Sequence, residues 1–319
     1  MYKSLISIIV PVYNAEKYIS ETLNSILCQT HKPIEIICIN DGSTDNSLAI
    51  LKEYSDWIIV LNQSNKGASV SRNTGLKVAS GDYIKFWDAD DLMNKMHIEA
   101  QYEAVKDYPG YIASCKWGRF YDDDYKSTLF KPESVWKNLH SINWIELALK
   151  QKGDMASSWL WLIPRDIITK SGGWNEGLSL NDDFEFSMRL LSKAKGVKFA
   201  QDAITYYRSG NNLSLASSNS HKSYKKALKS TELGTNHILQ MDSSNKMKTL
   251  CANRYQEWVY RMYPDHLDLV KYAEEKIKNL GGSTKKMEGG TVFQSLRHIF
   301  GWKLAKRLQL TMYKVGYQP

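Results

Sequence analysis

Two nearly continuous apolar runs, Leu5 to Val10 and Ile34 to Ile39, constrain the fold most. A half-exposed strand alternates apolar and polar residues, whereas a strand buried on both faces does not, so these runs read as parallel strands in the middle of a sheet. Helical segments alternate with them. Ala15 to Gln29 carries Tyr18, Ile19, Leu23, Ile26 and Leu27 at spacings of three and four. Leu48 to Tyr54 and Ala68 to Ala79 are further helical stretches, while Trp57 to Leu61 and Tyr83 to Trp87 read as strands. This alternation predicts a mostly parallel, doubly wound α/β sheet with helices on both faces. Right-handed crossovers then bring the carboxyl ends of all four strands to one edge, where ligands bind in open α/β sheets.

Three loops meet at that edge. Pro11-Val12-Tyr13-Asn14 follows the first strand, and Asp41-Gly42-Ser43 follows the second. Asp88-Ala89-Asp90-Asp91 follows the fourth, delivering three carboxylates to the ligand edge. Two unit charges ~4 Å apart repel by about 4 kcal/mol at an effective dielectric near 20, so such packing calls for a cation or for water. The alternate pair Asp88 and Asp90 is an all-oxygen donor set suited to Mg²⁺ or Mn²⁺. The competing reading is a solvated acidic turn. Tyr13 is placed to stack on a base and Asp41 to accept from a base N–H; the plainer readings are a half-buried aromatic and a turn-forming Asp before Gly. No G-x-G-x-x-G follows the first strand and no G-x-x-x-x-G-K-[ST] occurs anywhere, which weighs against dinucleotide enzymes and P-loop NTPases.

The strings PVYNAEKYI, INDGSTDNS, NKGASVSRNTGLKVASGDYIKFWDADD and GGWNEGLSLNDDFEFSMRL, in this order, resemble the motif series of family 2 glycosyltransferases over roughly residues 4–208. The resemblance implies a GT-A fold and an inverting enzyme that uses a nucleotide-diphospho-sugar, UDP-linked, with Mn²⁺ or Mg²⁺. It places Pro11, Tyr13, Asp41, Arg72, Asp88 and Ala89 around the nucleotide, with Asp90 as the direct metal ligand and Asp88 facing the metal or the ribose. It makes Asp183 the catalytic base, with Asp182 the alternative; helix capping is the plainer reading of both, since acidic residues favour a first helical turn. Relatives often follow the last strand with a Tyr-Arg-x-His-x-x-Ser pattern. Here the chain reads Tyr207-Arg208-Ser209-Gly210-Asn211-Asn212 and has no His, leaving Asn211, a water or no ligand in its place.

The middle of the chain is expected to hold a helix at Lys95 to Val105, a strand at Tyr111 to Phe120 interrupted by Gly118, and a helix at Trp144 to Leu149. A strand is expected at Met155 to Ile163, a helix at Asn181 to Leu191 and a strand at Val197 to Tyr207. Asp122-Asp123-Asp124 lacks β–turn–α framing and reads as a solvated turn, and Trp159, Trp161 and Trp174 read as core residues before sugar-facing ones.

Charge divides the chain. From His221 onward there are 18 Lys and Arg against 8 Asp and Glu, leaving 24 against 26 before it. The expected division is a catalytic domain over 1–217 and a basic helical region over 218–319, with helices at Tyr224 to Leu239, Lys246 to Arg261, Asp265 to Leu280 and Val292 to Val315. Such a region suits an acceptor, an oligomer contact or an anionic membrane surface. No aromatic-basic RNA motif is present, so no nucleic-acid partner is expected. The absence of an eighteen-residue apolar window and of a signal-peptide pattern, with four scattered cysteines, points to a cytoplasmic enzyme, peripheral on the cytosolic membrane face. The expected activity is transfer of one sugar to a glycan or lipid-linked glycan in bacterial-type surface polysaccharide biosynthesis. The alternatives are a nucleotidyltransferase, for which PVYNAEKYI offers no triphosphate loop, and a basic nucleic-acid-binding protein.

Overall fold

The computed structural model describes residues 3–121, 124–150, 156–210 and 219–314. In chain order the elements are β1 (Ile6–Val12), α1 (Ile19–Leu27), β2 (Ile34–Asp41), α2 (Ser47–Glu53), β3 (Ile59–Gln63), α3 (Ala68–Val78) and β4 (Tyr83–Phe86). There follow β5 (Leu92–Met93), α4 (His97–Val105), β6 (Tyr111–Phe120), β7 (Leu139–His140), α5 (Ser141–Lys150), β8 (Ile163–Pro164), α6 (Arg165–Ser171), α7 (Asp182–Lys193) and β9 (Gly196–Arg208). Helices α8 (His221–Met241), α9 (Asn245–Met262), α10 (Leu267–Asn279) and α11 (Thr291–Lys314) complete the described residues.

The main sheet has the order β3-β2-β1-β4-β8, with the first four strands parallel and β8 antiparallel. This is the expected mostly parallel GT-A sheet. Ile6, Ile8, Ile9 and Val10 of β1 are wholly buried, as their unbroken apolar run requires. Helix α3 lies close on this sheet because Gly75 has no side chain: a Cβ there would sit 2.5 Å from Ile9 Cγ2 and 2.8 Å from Ile39 Cδ1. A second, smaller sheet has the order β5-β9-β6, with β7 pairing β9.

Several boundaries differ from the sequence reading. The first two strands run further, so Pro11 and Asp41 end strands instead of opening loops. Helix α1 begins at Ile19 because Ala15 N donates to Ser47 Oγ (2.8 Å) and Glu16 N to Asp45 Oδ2 (3.0 Å), which ties this stretch to the neighbouring loop. Trp57 stays outside β3 and is largely exposed. Gly118 does not interrupt β6; the register slips between Cys115 and Lys116.

The expected strand over Met155 to Ile163 is not one. Met155 lies outside the described residues, Ser158–Leu160 is a single 3₁₀ turn, and only Ile163–Pro164 pairs in the main sheet. The cause is the buried Lys85, whose Nζ donates to Trp159 O (2.8 Å) and Trp161 O (3.5 Å), while Gln101 Nε2 donates to Leu160 O (2.9 Å). These carbonyls therefore face side chains and are lost to a strand ladder. Helix α6, which the sequence reading did not anticipate, follows at once.

In the C-terminal region, α8 packs against α7, and Gly234 permits it: a Cβ there would meet Phe184 Cε1 at 2.5 Å. Ile238, Met247, Leu250 and Cys251 join the main core. Tyr224, Leu228, Tyr255, Trp258, Val259 and Val270 form a second apolar cluster. Helix α11 is not continuous, since Gly301 has φ 77° and breaks it in two. No helix among the described residues is long and apolar enough to cross a membrane.

Candidate active site

The carboxyl ends of β1, β2, β3 and β4 carry the site, and the loops there are laced together before any ligand is considered. Asn14 sits at φ 48°, a left-handed position that asparagine adopts more readily than most residues. Its N–H donates to Ser43 Oγ (3.1 Å), and its Oδ1 accepts from Thr44 N (2.8 Å). Asp41 is almost fully buried and braces the turn before α3. Its Oδ1 accepts from Gln63 Nε2 (2.7 Å) and Lys66 N (2.9 Å), and its Oδ2 from Gly67 N (2.7 Å). A carboxylate offers about four acceptor positions, so one remains for a ligand. Pro11 is half-buried, and Tyr13 leaves its ring half-exposed (51%) beside it.

The centre of the site is Arg72, buried on α3. Its guanidinium donates to Asp88 Oδ1 (2.9 Å) and to Asp182 Oδ2 (3.3 Å), and lies 4.3 Å over the ring of Trp174. Ser158 Oγ donates to Asp88 Oδ1 (3.2 Å), and Ser69 Oγ to Asp182 Oδ2 (2.9 Å). One arginine thus joins the strand-end acidic cluster to the first turn of α7, elements separated by more than ninety residues. Its planar fork suits this divalent role, which a lysine would not reproduce.

Asp183 stands beside this network but outside it. Its Oδ1 is buried and has no hydrogen-bond partner. Burial, then the neighbouring Asp182, push its carboxyl well above the usual range; Arg72 opposes them, and the Ser158 backbone N–H bonds to the carboxylate. Burial also raises Asp182, with Arg72 and Ser69 opposing. An unpaired carboxylate oxygen of heightened basicity, held against a fixed guanidinium, can take a proton from a hydroxyl brought to it.

The acidic cluster at the end of β4 divides. Asp88 and Asp90 are half-buried at the site. Burial and then Asp88 push the Asp90 carboxyl up to about 6, with the cationic Arg208 among the opposing influences. Asp91 does not join them: it is wholly buried, and its Oδ1 accepts from Arg208 N (2.8 Å) to anchor β9. Only two of the three expected carboxylates therefore reach the ligand edge, because β5 turns into the second sheet immediately afterwards. Ala89 is half-buried between them, and its carbonyl accepts from Thr22 Oγ1 (3.0 Å). Among the described residues no group of three or more His, Cys, Asp and Glu is arranged to hold a metal ion. Asn211, the suggested substitute ligand, lies outside the described residues, as do Asp122 and Asp123; Asp124 caps a short turn by accepting from Lys126 N (3.1 Å).

The structure brings together Arg72, Asp88, Asp90, Asp182 and Asp183, with Pro11, Tyr13 and Asp41 on the neighbouring strand ends. Trp159, Trp161 and Trp174 are buried, as core residues are. Sequence reasoning missed Ser158 and Ser69, which fix the carboxylates, and the support that Trp174 gives Arg72. Ser158 was hidden because its segment reads as a strand; the Arg-Asn pair after two serines in SVSRN was the available signal for Ser69.

Comparison with known proteins agrees with this geometry. The glycosyl transferase family 2 model matches residues 7–171, more than half of the 319-residue chain. The glycosyltransferase GlyA of Streptococcus pneumoniae is 40% identical over 149 residues, 42% of this chain and 21% of that protein. EpsJ of Bacillus subtilis, also named a glycosyltransferase, is 30% identical over 223 residues, 65% of this chain and 62% of that protein. The chain thus spans about a fifth of the first relative and about three fifths of the second. The solved structure of Staphylococcus aureus TarS 1–349 in complex with UDP-GlcNAc matches with a TM-score of 0.72 at 20% identity, covering 99% of this chain and 92% of that one, which shows a shared fold. With its motif order, its sheet and the family match in agreement, the chain belongs to glycosyltransferase family 2.

Proposed function

We propose that this glycosyltransferase moves one sugar from a UDP-linked nucleotide sugar to a hydroxyl of a glycan or lipid-linked glycan, with inversion, in building a bacterial-type surface polysaccharide. The observation that carries the reading is Asp183, whose buried Oδ1 has no hydrogen-bond partner and whose carboxyl is of raised basicity beside Arg72 and Asp88. UDP is the nucleotide of choice because the TarS structure that shares this fold holds UDP-GlcNAc.

In this scheme Tyr13 offers its open ring to the base, Asp41 its remaining acceptor position, and Pro11 a wall. Arg72 holds Asp88 in place beside the diphosphate, with Ala89 between the two carboxylates. The acceptor hydroxyl gives its proton to Asp183. Its oxygen forms a bond to the anomeric carbon from the face opposite the diphosphate, the carbon–oxygen bond to the diphosphate breaks, and the leaving oxygen takes the electron pair.

The donor set fits Mn²⁺ or Mg²⁺. Asp90, raised by burial beside Asp88, is a carboxylate that a cation would relieve. Two carboxylates with substrate phosphates and water are an ordinary magnesium set, so a third protein ligand is not required. Asp90 and Asp88 would hold the ion, which when bound supplies charge to the departing diphosphate.

The test is transfer by Asp183→Asn, with the anomeric configuration of the wild-type product read by NMR. Removing a general base lowers turnover by about 10²–10⁴-fold, and the product anomer should be opposite to the donor's. Undiminished turnover by the variant, or a retained anomer, would sink the assignment.

A further inference from the structure

Helix α11 presents an apolar surface that its own packing does not require. Its two halves meet at Gly301, whose φ of 77° breaks the helical path. Read as one helix, its apolar and basic residues intermix; read as two, each half has an inward anchor and an outward apolar row. In the first half Phe293 is buried and Arg297 donates to Met287 O (3.0 Å), while Val292 and Ile299 face out, seven residues apart. In the second half Ala305 is buried and Trp302 packs edge-on against Tyr260 (4.9 Å) and Tyr263 (5.2 Å). Leu304 and Leu308, one turn apart, are exposed with Arg307 between them. Ile299 is 71% exposed and Phe300 55%. The helix is therefore clamped to the protein from inside and left apolar outside.

Charge says what covers it. From Thr291 to Pro319 the chain contains Arg297, Lys303, Lys306, Arg307 and Lys314 and no Asp or Glu. Lys303 pairs with Glu274 (2.8 Å) yet stays half-exposed, and Lys306 is taken up by Tyr260 O. Exposed apolar residues beside the exposed cations Lys303 and Arg307, on a helix that itself carries no acid, fit an interface that is apolar beneath and anionic above. That is the headgroup boundary of an anionic bilayer, where such helices lie flat.

We propose that α11 is a docking surface for anionic lipid, seating Ile299, Phe300, Leu304 and Leu308 among the acyl chains and Lys303 and Arg307 among the headgroups. The inference does not depend on the donor or the base assigned above. It would hold the active site of a transferase near a lipid-borne acceptor.

The experiment is co-sedimentation of the full chain with phosphatidylglycerol-containing vesicles and with phosphatidylcholine vesicles. The quadruple variant Ile299→Ser/Phe300→Ser/Leu304→Ser/Leu308→Ser is run alongside, together with light scattering of both proteins. All four positions are exposed, so the variant keeps its core, and an unchanged melting temperature without ligand checks this. Each cation near an anionic leaflet strengthens binding about fivefold, so the anionic vesicles should capture the wild type more than about tenfold better than neutral ones, and the preference should fall as salt is raised. The variant should lose most of this capture. Equal capture on both vesicle types, or an unaltered variant, overturns the proposal. So does a wild-type oligomer that the variant breaks to monomers, which would mean that a second copy covers the face.

Discussion

Asp183→Asn should yield a protein that is both far less active and more stable at neutral pH. Oδ1 of Asp183 is buried without a partner, and Asp182 and Asp88 both disfavour its charge. Leaving one buried polar atom unsatisfied costs about 1–3 kcal/mol. Asparagine has the same shape and keeps part of that cost but loses the charge, so the expected gain is about 1 kcal/mol, or roughly 2 °C in Tm for a chain of this size. The sign depends on pH. Because the folded-state carboxyl is raised, the folded chain holds this proton more tightly than the unfolded chain does. The penalty is absent below about pH 4, where both states are protonated, and grows as pH rises through the folded value. Urea denaturation of both proteins at pH 8 and at pH 4 therefore separates the explanations. The advantage of Asp183→Asn should appear at pH 8 and vanish at pH 4. A variant less stable than wild type at pH 8, or an equal difference at both, would refute the reasoning that the site stores an unpaired carboxylate.

Two further substitutions test the frame around it. Arg72→Gln leaves Asp88 and Asp182 without their cation, so denaturation should report a loss of about 3–5 kcal/mol. Because Arg72 holds Asp182 and Asp183 down, the acid limb of any residual pH–rate profile should move to higher pH. Trp174 is buried, stacked on Phe186 at 4.0 Å and covered by Arg72. Trp174→Ala should cost about 3–5 kcal/mol by the same measurement, and Trp174→Phe should recover much of both stability and turnover by restoring a ring beneath the guanidinium.

The sheet was legible because buried parallel strands leave a signature that little else imitates. Leu5 to Val10 and Ile34 to Ile39 have no polar residue on either face apart from Ser7 and Glu35, and both became strands. The helix at Asn181 to Leu191 was also within reach, since its acidic first turn and apolar stripe agree. Met155 to Ile163 misled because apolar β-like composition cannot report a buried amine; Lys85, seventy residues earlier, turns its carbonyls aside. The α11 break was hidden for a related reason: a lone Gly in a helical pattern is tolerated as often as it breaks one. Asp88, Asp90 and Asp183 stood out as carboxylates, but their joining through Arg72 and the inward turn of Asp91 are long-range facts that local spacing does not encode.

The most direct test of the central claim is the thermal shift of the wild-type chain with UDP, GDP, CDP, dTDP and ADP, each with Mn²⁺ or with EDTA. A ligand at about 100 times its Kd adds about 2.7 kcal/mol of stability. The account predicts a shift with UDP that the other nucleotides do not match and that EDTA removes. A nucleotide-independent response, or none with any of the five, would contradict a UDP-sugar site at this sheet edge.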